Sequence, residues 1–134
     1  MEMIIDFPGG AKVAAHFDSF TVQTDQPPHG GGEGSAPMPF DLFLSSIGTC
    51  AGIYVLGFCR KRNIPLEGIR IIERVHHNDA TGMVDKIDLE IQVPPSFPKE
   101  YYSALVRSAE LCKVKKTLEQ PPQFEIVTRE VEIA

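Results

Sequence analysis

Between Leu42 and Cys59 the chain runs for eighteen residues without a charge, and it enters this stretch through Pro39 and leaves it into Arg60-Lys61-Arg62. Proline suits the first turn of a helix, where its missing N–H has no partner to lose, and cations suit the last turn, where they face unpaired carbonyls. The pattern predicts one helix over Phe40 to Arg62. A helix apolar on every side must be covered on every side. A single sheet in a chain of this size does that poorly, whereas a second copy supplying the other cover does it well. The length also meets the crude requirement for a membrane span. Ser45, Ser46, Gly48, Thr49, Gly52 and Gly57 dilute its hydrophobicity, however, and no other segment is apolar enough to suggest a membrane protein. A buried helix at a dimer interface is the reading adopted, with no membrane partner.

The flanking segments read as short strands. Met3 to Phe7, Ala11 to Phe17 and Ser19 to Thr24 are separated by Pro8-Gly9-Gly10 and a turn near Asp18. Asp25 to Pro37, rich in Gly and Pro, is a loop just ahead of the helix and a candidate lid. Leu66 to His77 and Met83 to Val93 alternate like a hairpin around Asn78-Asp79-Ala80-Thr81-Gly82. Helical spacing returns from Lys99 to about Leu111, a short turn or helix carries Cys112 to Leu118, and Phe124 to Ile133 reads as a closing strand. Strands, long helix, hairpin, short helices and strand make an α+β fold in one domain spanning residues 1–134, without an internal repeat.

Charge narrows the function. A net charge of -5 with the basic residues in small clusters disfavours nucleic acid. The acidic start, Met1-Glu2-Met3-Ile4-Ile5-Asp6, lacks the marks of a secretory signal, so a cytoplasmic location is expected. Three cysteines, Cys50, Cys59 and Cys112, without a C-x-x-C pair suggest neither a disulfide scaffold nor a closed zinc site. His76 and His77 are adjacent on a strand and face opposite sides, so they do not share a metal. His29-Gly30-Gly31-Gly32 lacks the G-x-S-x-G of a lipase and the G-K-[ST] of a phosphate loop. No cofactor is implied.

Cys59 follows Cys50 by nine residues, half a turn out of phase and roughly 13 Å along an ideal helix, so the two cannot bond within one chain. Cys112 lies at a junction of helical segments with Lys113, Lys115 and Lys116 beside it, and nearby cations lower a thiol pKa. Residue chemistry leaves two readings open for Cys50 and Cys112: a reactive pair meeting across the core, or small buried hydrophobes.

The segment Pro39 to Ala51, P-F-D-L-F-L-S-S-I-G-T-C-A, resembles the signature of the OsmC/Ohr family. In that signature Pro opens the central helix eleven residues before the attacking cysteine. Gly9-Gly10-Ala11-Lys12, the run Gly30 to Ser35, Arg62 to Ile69 and Ala109 to Val114 are similar to family segments in the same order, so the likeness covers nearly the whole chain. It implies an OsmC-like α+β fold, a long central helix packed between antiparallel sheets, and an intertwined homodimer with two sites at its interface. It further implies reduction of small-molecule organic hydroperoxides, with Cys50 attacking the O–O bond, Cys112 resolving the sulfenic acid as a disulfide, and an external dithiol reducing that disulfide.

Two positions depart from the best-studied members. Phe40 stands where they carry an acid, and Asp41 comes one residue later as its candidate replacement. No Arg precedes Arg60, whereas the relatives hold the thiolate with an N-terminal Arg; Lys12, the only Lys or Arg in the first 59 residues, is the candidate here. Lysine supplies a point charge but not the two-pronged fork of arginine. Beside the peroxidase stand two alternatives: a redox or sulfur-handling protein that lacks efficient peroxide turnover, and a non-catalytic dimer that binds an apolar ligand.

Overall fold

The computed structural model describes residues 1–133. Three N-terminal strands, β1 (Ile4–Gly9), β2 (Lys12–Phe17) and β3 (Phe20–Thr24), form an antiparallel meander in that order. Its turns follow from residue type: Gly10 at φ 57° turns β1 into β2, and Asp18 at φ 51° makes the two-residue link that sets Phe17 opposite Phe20.

The central helix, α1, spans Pro39–Lys61, one residue offset from the expected Phe40 to Arg62. The Asp41 carboxylate reaches back to accept from the Met38 backbone N–H at 3.4 Å, covering one of the donors that a helix start leaves free. The other end is a Schellman turn: Asn63 stands at φ 55°, and the Ile64 N–H returns to the Cys59 carbonyl at 2.9 Å.

A hairpin of β4 (Arg70–His77) and β5 (Val84–Gln92) follows, in register from Arg70 opposite Gln92 to His77 opposite Val84, with a slip at His76/His77. Asn78 builds its turn by accepting from the Ala80 and Thr81 N–H groups at 2.9 and 3.1 Å. A 3-10 turn at Lys99–Tyr101 leads into α2 (Tyr102–Ala109), and α3 (Lys113–Glu119) comes after Cys112.

The core lies where α1 meets the hairpin and α2. Val55, Phe58, Cys59, Phe97 and Leu105 pack together, with Ile71 and Ile91 of the hairpin against them. Full burial of a side chain such as Leu105 is worth roughly 1.5–3 kcal/mol. No residue of β1–β3 belongs to this cluster. The expected helix between two sheets is therefore half built by one chain: α1 packs on β4 and the short helices. Phe40, Phe43 and Ile53 remain exposed, and only 28% of its most apolar stretch is buried. By length and composition alone α1 would also reach across a membrane.

One expected element does not form. Phe124 to Ile133 has no regular structure and pairs with no strand among the described residues, and Phe124, Ile126 and Ile133 are 86, 94 and 96% exposed. The expected closing strand is therefore not present in the single chain: a strand forms only against an edge, and none of the described residues brings one to it.

Candidate active site

Cys50 and Cys112 meet where α1 passes the start of α3. Cys50 is partly exposed, whereas Cys112 is 2% exposed. The Cys112 sulfur accepts from the Lys115 N–H at 3.4 Å, so it caps α3, and its S–H faces the Ile47 carbonyl at 3.9 Å.

The two thiols are driven apart in acidity. The backbone N–H of Val114 lowers the Cys50 pKa, and the Cys112 thiol, the Lys113 N–H and the Lys113 charge add to this, more than offsetting partial burial. Burial raises the Cys112 pKa, and the neighbouring Cys50 raises it further. Cys50 is thus the more acidic of the two thiols.

Lys12 and Asp41 stand elsewhere in the subunit. Lys12 Nζ lies 3.6 Å from Glu33 Oε1, and Asp41 closes the start of α1; neither contributes to the surroundings of Cys50 within its own chain. The groups that lower the Cys50 pKa within the chain are instead the Val114 backbone amide, the Cys112 thiol and Lys113, and residue type does not reveal the first of them. Cys59 is fully buried in the core, with its pKa raised by burial.

Two carboxylates have roles the sequence reading does not assign. Asp25, 1% exposed, accepts from Ser35 Oγ at 2.5 Å and from the N–H groups of Ser35, Gln26 and Glu33 at 3.0, 2.7 and 3.3 Å. These bonds, that from the Ser35 hydroxyl foremost, lower its pKa to about 2 and tie the Gly-rich loop shut. Gly32 is required there, since a Cβ would overlap the Gln26 carbonyl and the Asp25 carboxylate. Glu73 points from β4 at Gly48, where a Cβ would overlap its Oε1. Burial raises its pKa, and its buried Oε2 has no hydrogen-bond partner among the described residues. An acid in phase with Ile71 and Val75 on the inward face of a strand was the visible signal.

An apolar groove of about 560 Å3 opens between the hairpin and the short helices, lined by Ile47, Leu89, Ile91, Val106, Cys112 and Leu118 among others. His76 pairs with Asp88 at 2.8 Å, and among the described residues no cluster of His, Cys, Asp or Glu is placed to hold a metal ion.

Cys50 on a long central helix, with Cys112 beside it at the start of a short one, stands in an α+β chain with two antiparallel sheets. Residues 32–127 match the family described as OsmC-like protein, and the chain belongs to that family. A Psychrobacter arcticus structure named for osmotic stress induction and a detoxification response shares 20% identity and a TM-score of 0.70, over 86% of this chain and 85% of that one. An OsmC-like protein from Mycoplasma pneumoniae shares 15% identity and a TM-score of 0.68, over 90% and 87%. The organic hydroperoxide resistance protein OhrB of Bacillus subtilis shares 17% identity and a TM-score of 0.53, over 90% and 93%. These likenesses establish the fold. No curated protein sequence matches the chain.

Proposed function

We propose that the protein reduces organic hydroperoxides with Cys50 as attacking thiol and Cys112 as resolving thiol. The observation that carries this reading is the position of Cys112, whose sulfur lies 3.9 Å from the Ile47 carbonyl one turn before Cys50 on α1, with the acidity of the two thiols shifted in opposite directions. The Cys50 thiolate attacks one peroxide oxygen and the O–O bond breaks. Cys50 becomes a sulfenic acid, and the alkoxide takes a proton and leaves as alcohol. The Cys112 thiol then attacks that sulfur, water leaves, and a disulfide remains for an external dithiol to reduce. The apolar groove beside Cys112 favours an organic over an inorganic peroxide.

The working unit in this reading is a soluble, cytoplasmic homodimer. It is supported by what one chain leaves uncovered: Phe40, Phe43 and Ile53 on α1, Ile4, Ile5 and Phe7 on β1, and the unpaired strand material at Phe124 to Ile133. The C-terminal segment of one copy would extend a sheet of the other. Lys12 and Asp41 serve catalysis only across that interface, since in their own subunit they are engaged with Glu33 and the Met38 amide.

The test is stopped-flow oxidation of the reduced protein by an alkyl hydroperoxide and by hydrogen peroxide. Fast loss of one thiolate with the alkyl substrate, slower with hydrogen peroxide, is expected. Slow reaction with both would favour the alternatives, a redox protein without peroxide turnover or a binder of apolar ligands in the groove.

A further inference from the structure

α3 is the least anchored helix of the chain. It has seven residues, none of them buried, and Leu118 is 49% exposed. Helices this short do not hold by propensity alone. Its start is held by Cys112, whose sulfur accepts from the Lys115 N–H at 3.4 Å and faces the Ile47 carbonyl of α1 at 3.9 Å. The remaining ties are internal, Thr117 Oγ1 to the Lys113 carbonyl at 2.8 Å and Lys115 to Glu119 at 3.5 Å. The same helix supplies Lys115 and Leu118 to the wall of the groove, and Cys112 beneath it is 2% exposed.

We propose that α3 is a redox-operated lid, closed while Cys50 and Cys112 are thiols and released when they join in a disulfide, so that an external thiol reaches the Cys112 sulfur. This rests on the pairing of Cys50 with Cys112. Disulfide formation passes two electrons and two protons from the pair to the oxidant, a hydroperoxide that leaves as alcohol and water, or diamide that is reduced to its hydrazine. It turns the Cys112 sulfur away from the Lys115 N–H toward Cys50. The helix then loses its N-cap. The reduced site stays shut, and the oxidised site opens to the dithiol that must attack it. That thiol bonds to one sulfur, the other leaves as thiolate, and the second thiol of the reductant completes the exchange.

The experiment is amide hydrogen exchange over residues 113–120 in the full-length protein, reduced or oxidised with diamide, so that no peroxide activity is required. Exchange about fivefold faster in the disulfide form is expected, on the scale of losing an N-cap side chain, with the β4–β5 hairpin unchanged. Trypsin should cut at Lys113, Lys115 or Lys116 faster in that form. Cys112→Ser, which keeps a capping oxygen and forms no disulfide, should show no change with diamide. A Cys50–Cys112 disulfide with equal or slower exchange overturns the lid and leaves the pairing intact. Failure of diamide to link the two cysteines overturns the pairing and the lid with it.

Discussion

Cys112 lowers the pKa of Cys50 while Cys50 raises that of Cys112, so two neighbouring cysteines of the same intrinsic acidity are driven apart, Cys50 downward chiefly by the Val114 amide and Cys112 upward chiefly by burial. A lone thiolate on an apolar helix would be disfavoured by burial. Here the Val114 amide, the Cys112 thiol and Lys113 outweigh that burial and lower the Cys50 pKa.

Cys50→Ser should therefore abolish peroxide reduction, and Cys112→Ser should keep a single turnover that ends at a sulfenic acid, detected by a sulfenic-specific trap. The oxidation rate should rise with pH and level off below about 8.5, the ordinary thiol value. A midpoint at or above that value would sink the assignment of Cys50 as activated thiol.

Cys59 has no path to the site. Cys59→Ala should oxidise at the wild-type rate while losing about 1 kcal/mol of stability from the emptied core position. Loss of turnover in a folded Cys59→Ala protein would remove Cys112 from its role.

Light scattering at micromolar concentration should give twice the 14.8 kDa chain mass. Truncation after Gln120 removes the unpaired strand material and should shift the mass toward the monomer. A full-length monomer would leave the exposed faces of α1 and β1 without an explanation.

Asp25 should make the loop acid-sensitive. Its folded pKa, about 2, lies below the ordinary 3.8. The stability it contributes is thus present above 3.8 and lost as pH falls from there through about 2. Acid unfolding of Asp25→Ala should lie above wild type in pH, with the two converging near pH 2, and protease should cut the 25–37 loop of the variant first at neutral pH.

Glu73 carries the opposite sign. Its folded pKa is raised by burial, so its contribution is full below the ordinary 4.5 and declines as pH rises through the folded value. Glu73→Gln should match wild type near pH 4 and exceed it by about 1 kcal/mol near pH 8. Equal denaturant midpoints at both pH values would show that the Oε2 finds a partner in solution.

The elements themselves were legible in the residues. Pro39, the uncharged run and Arg60 to Arg62 mark α1 to within a residue, and the turns at Gly9-Gly10, Asp18 and Asn78 to Gly82 place the strands, because capping and turn chemistry act over a few neighbours. The cysteines and their order along the chain were legible too.

What tertiary structure alone decided is everything that depends on which atoms meet. Backbone amides are the same at every position, so no residue type announces that the Val114 amide lowers the Cys50 pKa. The ties of Asp25 to Ser35 across its loop and the approach of Glu73 to Gly48 likewise depend on how the chain folds back on itself. Lys12 pairs with Glu33 in its own subunit. Phe124 to Ile133 is the converse case: alternation supplies a strand's side chains but not its partner edge, because pairing is a property of two segments and the sequence describes each one singly.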